Sequence, residues 1–189
     1  MARQKAYDEA EVIEKAMHLF WRVGYENTST RMLEKEMGIN QFSIYSSFKN
    51  KQGVFLASLN CYKSKMNAMF SKLKIGTEGI EDIKTFFHES IEVLSGDDFS
   101  KGCLITNTYF EFSERDEKEI KESVSQFMED LKNVFIEKLK LDSSKDEDTI
   151  QKQANYLLVA KHGLAAASRV NSKEEINDYI ELVFASISM

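Results

Sequence analysis

TSTRMLEKEMGINQFSIYSSF, residues 28–48, reads as two short helices hinged on a glycine. Thr28 or Ser29 offers a hydroxyl to the orphan amides that start the first, which runs through Arg31, Leu33 and Met37. Gly38 then takes the turn, because a residue without Cβ accepts the left-handed backbone that ends a helix. Asn40 caps the second, Gln41 to Phe48, whose period turns Ile44 and Phe48 inward and leaves Gln41, Phe42, Ser43, Tyr45 and Ser47 mostly outward. Upstream, Ile13, Ala16, Met17 and Phe20 recur at three- and four-residue steps between Asp8 and Val23, with Val12, Leu19 and Val23 widening the stripe. Gly24 ends that amphipathic helix, and the three together form a helix-turn-helix unit.

Downstream, Asn50 caps a longer fourth helix through Val54, Phe55, Leu59, Tyr62, Met66, Met69 and Leu73, which would bridge two halves of the molecule. After the break at Gly76 to Gly79, a helix carrying Ile80, Ile83, Phe86, Phe87, Ile91 and Leu94 ends near Ser95 to Asp97. Cys103 to Phe112 is a short apolar segment, and a long helix with Ile120, Val124, Phe127, Leu131, Val134, Phe135 and Leu139 follows Ser113. The last two helices open on capping boxes, Ser144 to Glu147 and Ser172 to Glu175. In the final one, Ile176, Tyr179, Ile180, Val183, Phe184 and Ile187 make a stripe wider than an isolated surface helix needs, so a partner subunit is expected to cover it. The small residues from Gly163 to Ser168 in the preceding helix suit a close helix approach across a two-fold.

The chain has 189 residues, no proline and only eight glycines, with 42% hydrophobic and 30% charged residues, so an all-α globular protein is expected. We expect about nine helices: a three-helix helix-turn-helix domain over residues 1–50 and a helical bundle over 51–189. The first residues are polar and no window nears eighteen apolar residues, so export and membrane spanning are not expected, and the two widely spaced cysteines, Cys61 and Cys103, suit a reducing cytoplasm. The net charge of −6 divides unevenly. Residues 1–51 carry eight Lys/Arg against seven Asp/Glu, and the remainder carries seventeen against twenty-four. A nucleic-acid surface would therefore lie near the N-terminus, with only a modest electrostatic drive.

Ala16, Leu19, Phe20, Gly24, Tyr25, Thr28, Ser29, Leu33, Gly38, Ile39, Ile44, Tyr45, Phe48, Lys49 and Lys51 fall in the order and spacing of one family's N-terminal segment. The chain resembles the TetR family of bacterial transcriptional regulators, sharply over some forty residues, and its length and helical remainder resemble that family's nine-helix design. The resemblance implies a cytoplasmic, non-enzymatic repressor that binds a palindromic operator in double-stranded DNA as a homodimer through its last two helices. A small-molecule effector would release it. The third helix would read the major groove: Gln41, Phe42 and Ser43 would face base edges, where Gln bonds adenine and an apolar ring touches a thymine methyl. Arg31 would reach a guanine or a phosphate, and Thr28 or Thr30, Tyr45, Ser47 and Lys51 would hold phosphates. Phe42 stands where the family usually has a small residue or proline. Glu34 and Met37 stand where it commonly has alanine, so packing between these helices is expected to differ locally.

For the effector pocket, the aromatic residues Phe86, Phe87, Tyr109, Phe110, Phe127 and Tyr156 are candidates, with Asn107, Tyr109 or His162 as polar groups, which suits an apolar or aromatic ligand. Cys103 also belongs to this set. Its segment, Lys101 to Thr108, resembles one from a subset of the family, some of whose members sense electrophiles or oxidants through cysteine. A helix N-terminus and Lys101 would activate the thiol. No metal or cofactor is expected, since His18, His88 and His162 lack ligand spacing. The acidic run Glu111 to Glu122 reads as a solvated helix start rather than a catalytic pair. An all-helical enzyme and a pure protein-interaction module are the rival readings, and both leave the third helix unexplained.

Overall fold

A computed structural model describes residues 7–92 and 102–187, and the described residues form nine α-helices without a strand. They are α1 (Glu9–Val23), α2 (Thr30–Met37), α3 (Gln41–Phe48), α4 (Lys51–Ile75), α5 (Ile80–Glu92), α6 (Leu104–Glu111), α7 (Lys118–Leu139), α8 (Glu147–Ala167) and α9 (Lys173–Ile187). The N-terminal starts follow local chemistry. Asp8 accepts the amides of Ala10 and Glu11, Ser29 that of Met32, Asn40 that of Ser43, and Asn50 that of Gly53. Gly24 follows α1 and Gly38, at φ 71°, closes α2 in the left-handed conformation.

α1, α2 and α3 pack through Ala16, Met17, Phe20, Leu33, Met37 and Ile44, all almost fully buried. α4 starts beneath α3 and lies along α1, so Phe20 meets Phe55 edge-on at 4.8 Å. At about 1.5 Å per residue its 25 residues span roughly 37 Å, which carries it from this unit into the bundle of α5 to α9. Its far end is held by Lys138 of α7, 5% exposed, whose ammonium donates to the Lys74 and Gly76 carbonyls and pairs with Asp82 at 3.4 Å. A buried cation here satisfies carbonyls that the helix end leaves orphaned.

Two expectations need correction. The Ser144 box does not form: Asp146 caps α8 by accepting from Thr149, and Ser144 bonds Asp142 in the preceding turn. The Ser172 box does form, with the Ser172 amide donating to Glu175 at 2.8 Å and the Glu175 amide to the Ser172 hydroxyl at 3.3 Å. The apolar stripe of α9 is not left open for a partner either. Ile176, Ile180, Val183, Phe184 and Ile187 are buried within the chain, where α9 packs on α5 and α8. On these two helices the exposed large apolar residues are Tyr156 (44%) and Val159 (70%) of α8 and Leu182 (71%) of α9. Gly163 has an internal reason as well, since a Cβ there would meet the Tyr179 hydroxyl at 3.1 Å. The expected end of α5 near Ser95 to Asp97, and Lys101, lie outside the described residues.

Candidate nucleic-acid interface and ligand cavity

α3 is anchored by Ile44 (0% exposed) and Phe48, which forces its other side outward. Gln41 is exposed, Phe42 is 81% exposed, and Ser43 is half-buried at the edge. Arg31 is exposed near the start of α2. The start of α3 carries two acceptors: Asn40 bonds the Ser43 amide and Glu34, reaching across from α2, accepts the Gln41 amide at 2.6 Å. Glu34 thus acts as a second cap rather than a packing variant, and it places a carboxylate beside the end of the helix that faces outward.

The expected phosphate contacts divide. Thr30 and Tyr45 share a hydroxyl–hydroxyl bond of 2.7 Å, which fixes both rotors on one edge of the α2–α3 pair. Ser47 bonds the Tyr7 hydroxyl at 2.6 Å, and that same hydroxyl donates to the Ser43 carbonyl. Thr28 requires correction as a surface contact: it is 1% exposed, folded under the end of α1, and its hydroxyl donates to the Gly24 carbonyl at 2.6 Å. Lys51 is also turned inward, because the first turn of α4 lies against the α1–α2 connection. Its ammonium sits 4.4 Å from the Tyr25 ring centroid and donates to the Glu26 carbonyl, and burial lowers its pKa.

α6 ties this unit to the bundle at both of its ends. The Trp21 indole donates to the Gly102 carbonyl at 2.9 Å just before α6. At the other end the Glu111 carboxylate accepts the backbone amides of Tyr25 (3.1 Å) and Glu26 (2.8 Å). Arg115 pairs with Glu26 and lies over the Phe112 ring, which itself packs on Tyr25 and Phe55. Glu111 is therefore not part of a solvated helix start. It caps a turn 85 residues away in sequence, which reading helix by helix does not find.

Within the bundle, α4 to α8 enclose a small cavity of about 30 Å³. Of the expected pocket residues, Phe86, Cys103 and Phe127 line it. Tyr62, Met66, Met69, Phe70, Met128 and Lys161 complete much of the wall, and none of the six was among the expected pocket residues. The others are placed elsewhere. Phe87 is fully buried against Phe184 and Phe135. Asn107 and Phe110 line a separate open groove between α1, α6 and α8, of about 420 Å³. Tyr109 and Phe110 are 38% and 54% exposed and cluster edge-on with His162 on the outer side of α6 and α8, and Tyr156 is 44% exposed. Tyr109, Phe110 and Tyr156 leave the cavity because their positions fall on the outer faces of α6 and α8, and Phe87 because it turns toward α7 and α9.

The Tyr62 hydroxyl donates to the Cys103 sulfur at 3.5 Å, and burial raises its pKa well above the usual value. Burial lowers the Lys161 pKa, and lowers that of His162 with help from the neighbouring Lys161 charge. Cys103 stands at the N-cap of α6 and makes no capping bond. Among the described residues no helix is long and apolar enough to cross a membrane.

Residues 12–58 match the family model of bacterial regulatory proteins of the tetR family. The chain is 31% identical over 112 residues to the uncharacterized HTH-type transcriptional regulator YezE of Bacillus subtilis (strain 168), covering 59% of this chain and 58% of that protein. It is 31% identical over 107 residues to the HTH-type transcriptional repressor ComR of Escherichia coli (strain K12), covering 56% and 51%. The chain thus spans little more than half the length of the curated relatives it matches. Among solved structures, a cysteine mutant of the TetR family regulator CifR, complexed with 26-base-pair double-strand operator DNA, superposes with a TM-score of 0.86 at 22% identity, over 98% of this chain and 99% of that one. A TetR family regulator from Cytophaga hutchinsonii gives 0.77 at 16% identity, over 97% of both. At those identities the likeness is one of fold, and it runs nearly the full length; within it, residues 12–58 form an N-terminal segment of the kind found in bacterial regulatory proteins of the tetR family.

Proposed function

We propose that this protein is a cytoplasmic repressor that binds a palindromic operator as a homodimer and is released by a small molecule held in the α4–α8 cavity. The observation that carries the reading is the outward edge of α3. Gln41 and Phe42 are exposed, with Ser43 half-buried beside them, at the N-terminal end of a short helix whose opposite side is locked into a core. Such a helix enters a major groove as a rigid insert, with Gln41 able to bond an adenine edge and Phe42 a thymine methyl. Arg31, Thr30 and Tyr45 flank it for guanine or phosphate contacts, and Ser47 follows through its bond with Tyr7. CifR has been captured on operator DNA and ComR is named a repressor, which supports carrying both roles to this chain.

Two half-sites about 34–36 Å apart require two copies, and Val159 and Leu182 give α8 and α9 an apolar surface for that pairing. α6 starts at the cavity wall with Cys103 and ends with Glu111 on the α1–α2 turn, so a ligand that moves α6 would move α3 with it. Selection of bound sequences from random duplex DNA tests the proposal. A recovered palindrome is expected, with Gln41→Ala relaxing base preference at one position per half-site. Recovery of no preferred sequence would remove the repressor reading.

A second reading, release by modification of Cys103, is favoured by the position of that thiol, on the cavity wall at the N-cap of α6. Release of the selected duplex by oxidants or electrophiles should then disappear in Cys103→Ser. Unaltered release in that variant ends this reading.

A further inference from the structure

We propose that the cavity takes a small monocarboxylate with an apolar tail, its carboxylate set against Lys161. The inference rests on the effector reading above and names the chemistry of the ligand. Among the described residues two lysines, Lys138 and Lys161, are almost completely buried, and they differ in one respect. Lys138 donates to two carbonyls and pairs with Asp82. Lys161, 7% exposed on the inner face of α8, has no hydrogen-bond acceptor or carboxylate partner among the described residues. Its ammonium lies 5.8 Å from the Phe86 ring centroid and lines the cavity.

An ammonium with only the Cys103 thiol and the Phe86 ring for company is expensive to keep charged, and burial lowers its pKa more than the nearby Cys103 raises it. One anionic group entering the cavity would satisfy it. The rest of the wall argues for a single charge and a hydrocarbon body. Phe70, Phe127, Leu131 and three methionines surround the gap, and the Ser90 hydroxyl is already committed to the Phe87 carbonyl. A doubly charged phosphate would find one cation and little else. The gap itself has room for about one or two water molecules. Met66, Met69 and Met128 must therefore swing aside to admit the tail, which their unbranched thioether side chains allow.

The test uses the full chain and matched probes of equal shape: hexanoate against hexanol, and benzoate against benzyl alcohol. Trp21, the chain's one tryptophan, reports by fluorescence, since its ring lies 5.2 Å from that of Tyr62 on the cavity wall. Thermal melting gives a second readout. The carboxylates should bind about tenfold or more tighter than the alcohols, the value of one hydrogen bond to a charged group. Lys161→Met should erase that preference while still taking the alcohols. Should Lys161→Met take neither, Lys161→Gln, close in size and without charge, decides the matter in the same way. Equal affinity of acid and alcohol in the unaltered protein, no binding of either, or a preference that survives both variants overturns the proposal. The duplex recovered by selection separates this from the repressor reading. Lys161-dependent carboxylate binding that leaves the duplex bound keeps the site and overturns its role in release. Release by a ligand indifferent to Lys161 keeps the repressor and overturns the site.

Discussion

Glu34 and Lys161 each place a charge where its neighbours make it consequential. The Glu34 carboxylate accepts the Gln41 amide at the end of α3 that would face DNA, so it stabilises the helix locally and opposes phosphate approach. Glu34→Ala should therefore cost about 1 kcal/mol of stability, as loss of a cap does, and yet tighten binding to random-sequence duplex at low salt. Chemical denaturation and a salt titration of duplex affinity check the two halves, and weaker non-specific binding would contradict the charge argument. Lys161 gives a pH-dependent case. Burial holds its folded pKa below the ordinary 10.5, so the folded state binds fewer protons than the unfolded chain between those two values. Stability lost to this residue is then greatest below the folded pKa and recovers as pH rises toward 10.5. Lys161→Met should raise the melting temperature by roughly several degrees near neutral pH, with the gain shrinking in alkaline buffer. A gain independent of pH would assign it to packing instead. Neither residue shows its role in the sequence. Glu34 sits in an ordinary charged stretch and Lys161 in an ordinary amphipathic helix, and what each touches is set by another element.

Among the elements, the α3–α4 joint limits how far the third helix can be repositioned. Lys49 adopts φ 69°, and the Asn50 amide donates to the Phe48 carbonyl two residues back, a tight γ-turn that non-glycine residues rarely take. The next turn closes so sharply that a Cβ on Gly53 would lie 1.9 Å from the Phe48 carbonyl oxygen. Gly53 in the first turn of α4 is thus required by the approach of α3's last carbonyl. Gly53→Ala must push α3 away, at a cost of about 1–3 kcal/mol, and should weaken binding to the selected palindrome more than binding to random duplex. Equal losses on both duplexes would mean that the helix keeps its placement. Most helix starts and the whole helix-turn-helix were legible beforehand, because Asp8, Asn40, Asn50, Gly24 and Gly38 act on backbone within a turn of themselves. The pocket was not, since choosing among aromatic residues requires knowing which face of each helix meets another. Phe86 and Phe127 face the cavity, whereas Tyr109 and Tyr156 lie outside it.

At the scale of the whole molecule, the proposed two-fold assembly multiplies whatever stands on α8. Val159 is 70% exposed and touches no core of its own, so changing it should leave the fold of one copy intact. In an isologous interface the same residue is presented by both copies, so Val159→Glu buries two carboxylates in one apolar patch without a cation between them. Dimerisation should weaken by about 2–4 kcal/mol, on the order of a hundredfold or more in the dissociation constant. Sedimentation velocity across a dilution series reads this directly, with circular dichroism holding the helix content as a control. Operator binding should fall along with assembly, because a single copy engages one half-site and forfeits the second. A half-site duplex should be bound almost as well by the variant as by the unaltered chain. If Val159→Glu remains a dimer at high dilution, α8 is not the seam. If it is monomeric and still holds the full palindrome with unreduced affinity, two readers are not what grips the DNA.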